Sequence, residues 1–188
     1  IRLGILGIGS MGRHHVRNAR ATQGVELVAL ADPGGDRFGV AGDLPVLGGV
    51  EELIEAGIDA AIIAAPTAHH EAAALALAEA GVHTLVEKPL ATSVEAGRRI
   101  RDAFAAAGLV GAVGYVERCN PALIDMRRRI SEGQLGEIEQ IATRRQSPFP
   151  ARISDVGVVK DLATHDVDLA AWVAGAPYES IYARTSVR

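Results

Sequence analysis

Short apolar runs alternate with stretches of helical period along the first part of the chain, and glycine or proline marks most of the changes. Leu3 to Ile8 is an apolar run that leads into glycines and then into a polar-apolar stretch of helical character, Ser10 to Arg20. Val25 to Ala31 reads as a second buried strand, Val50 to Ala56 as a short helix, and Ala60 to Ala65 as a third strand closed by Pro66. Glu71 to Ala80 is an alanine- and leucine-rich helix stopped by Gly81, and Val82 to Val86 is a fourth strand leading into Glu87-Lys88-Pro89. Thr92-Ser93-Val94-Glu95 has the form of a capping box, with the Thr92 hydroxyl and the Glu95 carboxylate satisfying each other's orphan amides, and predicts a helix to about Ala107. Leu109 to Val113 supplies a fifth strand. Repeated βα units of this kind predict an α/β fold, a doubly wound parallel sheet of the Rossmann type.

Past Tyr115 the rhythm changes. Asn120-Pro121 starts another helix, since Asn accepts an amide bond and proline is tolerated at the first helical position; it ends near Gly133. Ile138 to Gln146 alternates as a strand, Ser147 to Val159 is an irregular Pro- and Gly-containing loop, Leu162 to Ala174 is a helix, and Ser180 to Val187 is a further strand. Two strands make a poor sheet, because independent stability needs three or more or a covering layer. The expected domains are therefore 1–117, a dinucleotide-binding unit, and 118–188, an incomplete part of a second, α+β domain.

Composition narrows the function. The 188 residues are 48% hydrophobic and 22% charged, with a net charge of -4, so nothing attracts phosphate backbones or anionic lipid in general. Nucleic-acid and membrane partners are not expected, and small molecules are. No apolar run reaches the roughly 20 residues that span a bilayer, and Ile1-Arg2-Leu3 opens straight into a strand pattern. Cys119 is the single cysteine, so the expected location is the cytoplasm.

Gly7-Ile8-Gly9-Ser10-Met11-Gly12 is a G-x-G-x-x-G turn between a predicted strand and a predicted helix, whose N-terminal amides and dipole favour an anion. Alone such a turn is also compatible with a purely structural role or with S-adenosylmethionine. Asp32, about twenty positions after Gly12, ends the next strand, where a carboxylate grips the adenosine-ribose hydroxyls and repels a 2′-phosphate. NAD is thus favoured over NADP, while Asp32-Pro33 also has the form of a plain turn initiator. Lys88 closes the fourth strand, on the side of the sheet where ligands of open α/β folds collect, and its ammonium suits an oxyanion developing as hydride leaves carbon. A surface ion pair with Glu87 is the plainer reading. Asp161, His165 and Asp168 share one helical face, so a carboxylate can support an imidazole acting as general base; capping of the helix by Asp161 is the structural alternative. Asp161 and His165 give only two metal ligands, and His69-His70 fall at the edge of a helix, so no metal is expected.

Together these residues resemble the glucose-fructose oxidoreductase, inositol dehydrogenase and rhizopine-catabolism (Gfo/Idh/MocA) family. The glycine turn, Ala65-Pro66-Thr67-Ala68-His69-His70, Glu87-Lys88-Pro89, Gly114-Tyr115 with Arg118 and Asn120-Pro121, and Asp161-x-x-x-His165 fall in the family's order. The resemblance implies a C-terminal domain with a large, open, mostly antiparallel sheet, and NAD(P)-dependent oxidation of a secondary alcohol in a sugar or cyclitol. It maps Lys88, Asp161 and His165 to catalytic positions and places Ala65, Pro66, Thr67, His70, Glu87, Lys88 and Arg118 beside the cofactor, with Gly7, Ile8, Gly9, Ser10, Met11, Gly12 and Asp32 on its pyrophosphate and adenosine. A homodimer or tetramer built through the second domain is also implied. Val116 to Pro121 and Ser147 to Val159 further resemble members that oxidise C3 of UDP-N-acetylglucosamine-type nucleotide sugars, with Arg144, Arg145 and Arg152 as candidates for the diphosphate. Cys119 stands where an aromatic is common. An NAD-assisted glycosidase and a catalytically silent NAD sensor are the two alternatives at this level.

Overall fold

The structure is a computed structural model that describes residues 1–146, 157 and 159–185, with the backbone alone at 160 and 161. The chain divides into two compact units, Ile1–Gly114 and Tyr115–Arg188.

The first unit is built on a sheet of six parallel strands. They are β1 (Arg2–Leu6), β2 (Glu26–Ala31), β3 (Val46–Leu47), β4 (Ala60–Ile63), β5 (His83–Val86) and β6 (Gly111–Val113), in the order β3-β2-β1-β4-β5-β6. Ile5 of β1 lies opposite Leu30 of β2 and Ile62 of β4. A parallel strand covered on both faces must be apolar on both, and the near-continuous apolar character of Leu3 to Ile8 follows from that position at the centre. On one face Val16 and Ala19 of α1 (Gly12–Ala21) meet Leu3, Ile5, Ile8 and Leu30. On the other, Leu53 of α2 (Val50–Glu55), Ala74 and Leu77 of α3 (His70–Glu79) and Ile100 and Phe104 of α4 (Val94–Ala106) meet Leu6, Ile63 and Val86. The strand order reverses between β1 and β4, which opens a crevice at the carboxyl ends of these strands.

Two details differ from the sequence reading. The sheet has a sixth strand, β3, too short at two residues to leave a periodic trace. The cap of α4 is Ser93, whose hydroxyl accepts the Ala96 amide; the box starting at Thr92 is displaced by one residue, so that Glu95 falls at the second helical position.

In the second unit, Asn120 caps α5 (Pro121–Ser131) by accepting the Ala122 amide, with Pro121 in the first turn. A π turn, Val159–Ala163, runs into α6 (Thr164–Ala174), which ends on Gly175 in the left-handed region at φ 66°. Residues 138–146 and 180–185 do not form the expected strands, since a strand exists by pairing and the described residues of this unit offer none. Residues 186 and 187 of the last expected strand, and 147–156 and 158 of the expected loop, lie outside the described residues. Among the described residues no helix is long and apolar enough to cross a membrane.

Candidate active site

The turn after β1 shows why three glycines are spaced as they are. Gly7 has φ +85°, and a Cβ there would lie 2.6–2.8 Å from the backbone of Ala64 and Ala65. A Cβ on Gly12 would sit 1.9 Å from the Gly7 carbonyl oxygen. Both glycines are required by the protein's own packing. Gly9 is different: a Cβ there would meet nothing within 4 Å. Its bareness leaves backbone open to an incoming group, the fit a pyrophosphate needs at the start of α1. Ile8 is buried and serves through its backbone, Ser10 and Met11 are exposed, and Arg13 N–H donates to the Gly9 carbonyl at 3.2 Å.

Asp32 has the turn-initiating role read from the sequence and adds a tie to the glycine loop. Its Oδ1 accepts the Gly34 amide at 2.8 Å, which forms the turn after β2, and its Oδ2 accepts the Ile8 amide at 3.0 Å, which ties that turn to the glycine loop. Each carboxylate oxygen has a second lone pair, which suits ribose hydroxyl donors. A cleft of about 380 Å³ runs beside it, lined by Gly7, Asp32, Pro33, Ala65, Pro66 and His69. The following loop is short because Asp36 closes it, accepting the Val40 and Ala41 amides at 3.0 and 2.8 Å; the Ala41 bond is the larger cause holding this carboxyl below its ordinary pKa. Replacing Asp32 by Ser is expected to weaken NAD about 10- to 100-fold, the size of a lost charge-assisted hydrogen-bond set, and to narrow the gap to NADP by removing the repulsion of its phosphate. Fluorescence titration with both dinucleotides reads this directly.

The exit of β4 continues the crevice through Ala65 and Pro66 into a short 3-10 turn, Thr67–His69, with Thr67 buried. His70 is 1% exposed, and its ring is engaged with main chain: Nε2 faces the Ala65 carbonyl at 2.8 Å and Nδ1 the Pro89 carbonyl at 3.0 Å. It therefore fastens the β4 exit to the segment after β5 from behind. Glu87, which sequence reading set beside Lys88 as a possible surface pair, is 7% exposed; its Oε1 lies 2.7 Å from His15 Nε2. Lys88 follows it, half-buried.

In the second unit Asp161 lies in the backbone of the π turn, two residues before the α6 cap, which is Ala163 and makes no side-chain bond. The residue that precedes α6 is Ala163, and π turns of this sort recur at functional positions. His165 stands in the first turn of α6, half-buried, with Nδ1 shielded from solvent. Asp168 grips Arg118 through two bonds, Nε to Oδ2 at 2.8 Å and Nη2 to Oδ1, and the Arg118 guanidinium lies 5.5 Å from the Tyr115 ring centroid. The Asp168 bond lifts Arg118 above its ordinary pKa, while burial and the Asp168 charge raise the Tyr115 phenol. Arg145 is enclosed by Asp166 at 2.9 Å and Glu117 at 3.3 Å, so this diphosphate candidate already carries two carboxylates; Arg144 is exposed and Arg152 lies outside the described residues. The crevice, Asp32 and the Glu87-Lys88 exit thus share the first unit, and Arg118, Asp161 and His165 the second. Sequence reading missed His15 and the tie of Arg118 to Asp168, since partners this far apart in sequence leave no local spacing.

Residues 1–115 match the profile of an oxidoreductase family with an NAD-binding Rossmann fold, and residues 123–188 match the Gfo/Idh/MocA C-terminal domain. The chain belongs to the Gfo/Idh/MocA family. It is 33% identical to an NAD(+)-dependent scyllo-inositol 2-dehydrogenase of Bacillus subtilis, over 96% of this chain and 56% of that relative. It is 32% identical to UDP-N-acetylglucosamine 3-dehydrogenase of Acidithiobacillus ferrooxidans, over 94% of this chain and 55% of the relative. A crystal structure of that second enzyme superposes with a TM-score of 0.81 at 30% identity, covering 93% of this chain and 57% of the other. The chain therefore spans a little over half the length of the Gfo/Idh/MocA relatives it matches.

Proposed function

We propose that this Gfo/Idh/MocA chain is the cofactor-binding and catalytic-helix portion of an NAD-dependent dehydrogenase acting on a secondary alcohol of a cyclitol, sugar or nucleotide sugar. The observation that carries the reading is the Gly7–Gly12 turn, tied to Asp32 by the Ile8 amide and left bare at Gly9, in a chain that also has Lys88 at the exit of β5, the strand next to β4. NAD supplies the redox chemistry, its nicotinamide accepting hydride from the carbinol carbon. The chain's own groups handle the proton and the developing charge. The Lys88 ammonium donates a hydrogen bond to the reacting oxygen, and that bond strengthens as the oxygen becomes anionic. His165 then takes the hydroxyl proton; where Lys88 is the base instead, it takes that proton as the neutral amine and donates afterwards as the ammonium, and Asp161 supports the cationic form of the base. Inositol and UDP-N-acetylglucosamine are the two substrate classes that the names of the relatives support. The carboxylates around Arg145 favour the uncharged cyclitol or sugar over a diphosphate, because that guanidinium's fork is already occupied. A homodimer or tetramer is the assembly we expect.

The test is reduction of NAD, followed by absorbance of the reduced nicotinamide, with myo- and scyllo-inositol, free hexoses and UDP-N-acetylglucosamine presented to the full-length protein. Reduction by one of these is the expected result. Tight NAD retention without net reduction, accompanied by cleavage of a glycoside, would replace the dehydrogenase by an NAD-assisted glycosidase. NAD binding with no chemistry in any assay would leave a sensor.

A further inference from the structure

We infer that His15, on the helix that follows the glycine turn, is a positioning residue for Lys88 and acts through Glu87; the inference rests on the dehydrogenase reading only in treating Lys88 as the group to be placed. The Glu87 carboxylate has two occupied oxygens. Oε1 meets His15 Nε2 at 2.7 Å, and Oε2 accepts the backbone N–H of Lys88 at 3.2 Å. One carboxylate thus connects the fourth residue of α1 to the main chain of Lys88. A third element closes the box from behind. A Cβ on Gly114, just past β6, would lie 2.9 Å from Glu87 Cδ and Oε2, while the Gly114 N–H is itself held by the Val86 carbonyl at 2.8 Å. Glycine at 114 is therefore set by the Glu87 carboxylate, not by backbone angle.

The burial makes the arrangement consequential. The His15 and Glu87 side chains are 19% and 10% exposed, and a carboxylate so far out of water needs its donors to stay where it is. Without the His15 N–H, Glu87 has to find another donor, and the Lys88 amide moves with the carboxylate. Small displacements of a group that must meet a reacting oxygen lower turnover more than they lower binding.

After reductive ¹³C-methylation each lysine ammonium gives a side-chain NMR signal, and the one absent from Lys88→Arg is that of Lys88. The experiment compares wild type, His15→Ala, His15→Gln and Gly114→Ala in the full-length protein, reading the Lys88 signal against the other lysine signals, NAD affinity, kcat and KM. His15→Ala removes the donor and Gly114→Ala pushes the acceptor, and both are expected to move the Lys88 signal and leave the other lysine signals unmoved. Turnover is expected to fall about 10- to 100-fold, the span of one hydrogen bond to a buried charge, with KM and NAD affinity changed less than about threefold. His15→Gln keeps an N–H donor at similar reach and is expected to restore the Lys88 signal and most of the turnover. An unmoved Lys88 signal in folded His15→Ala, or equal loss of NAD affinity and turnover, would reduce the pair to ordinary packing. If the wild type turns over no substrate, the dehydrogenase reading fails, and the Lys88 signal still decides the role of His15.

Discussion

Gly12→Ala is expected to lose at least about 100-fold in NAD affinity and to melt several degrees lower. The added methyl would lie 1.9 Å from the Gly7 carbonyl oxygen, far inside contact distance, and the obstacle is backbone, which has no rotamer to escape into. Gly7 has nowhere to retreat, because its N–H is bonded to the Ala31 carbonyl at 2.7 Å and its open face rests on Ala64 and Ala65. Relief has to come from moving the start of α1 away from β1, which uncovers Val16 and disperses the amides that meet the pyrophosphate. Overpacking of this kind costs about 1–3 kcal/mol or more, enough to lower the melting temperature of a domain this size visibly. The control is Gly9→Ala, whose methyl meets no atom of the described residues within 4 Å beyond its two chain neighbours. That variant is expected to keep its melting temperature and lose NAD affinity alone. Calorimetry beside NAD titration separates the two glycines, and a Gly9→Ala protein with unchanged affinity would mean that the pyrophosphate does not approach there.

Lys88→Ala is expected to lower kcat by about 10²- to 10⁴-fold while NAD still binds within a few-fold of wild type, the range for removing a positioned acid-base group. Lys88→Arg is expected to fail almost as badly. This chain takes arginine for nearly all of its cationic positions, with Lys88 and Lys160 the exceptions among 19 Lys and Arg residues, so a lysine at 88 answers to something a guanidinium does not provide. An ammonium is compact and can give up its proton near neutral pH when its surroundings disfavour charge, whereas a guanidinium stays charged throughout. His165→Ala run in parallel assigns the base. The variant that is rescued by raising pH or by an added small amine or imidazole is the one that lost it, and a Lys88→Ala enzyme with wild-type turnover would remove Lys88 from the chemistry altogether.

The parts legible in the sequence are those fixed by neighbours along the chain. The glycine turn, the strand before it, the Asn120-Pro121 helix start and Asp32 at a strand end all depend on short-range stereochemistry that residue types record directly. Three kinds of feature escaped. β3 is held only by pairing with β2, and two residues carry no period. Ser93 and Thr92 are both cap-forming types, and the capping-box pattern starting at Thr92 points one residue too early. His15 and Glu87 meet across 72 positions, and nothing in the spelling of either segment marks the other as its partner. Over the described residues 138–146 and 180–185 the expected strands are absent for a related reason, since alternation supplies a face and a partner strand has to supply the bonds.

The two tethers on Asp32 bear on anyone wishing to exchange one dinucleotide for the other in this scaffold. The carboxylate that we propose discriminates between cofactors also fastens the Ile8 amide and shapes the bend at Gly34. A redesign that simply swaps the side chain surrenders a structural fastener along with the selectivity filter, and gains in NADP preference will arrive coupled to a looser phosphate loop. Varying Pro33 and Gly34 together with Asp32, and selecting for retained thermal tolerance as well as cofactor choice, is the way to uncouple them.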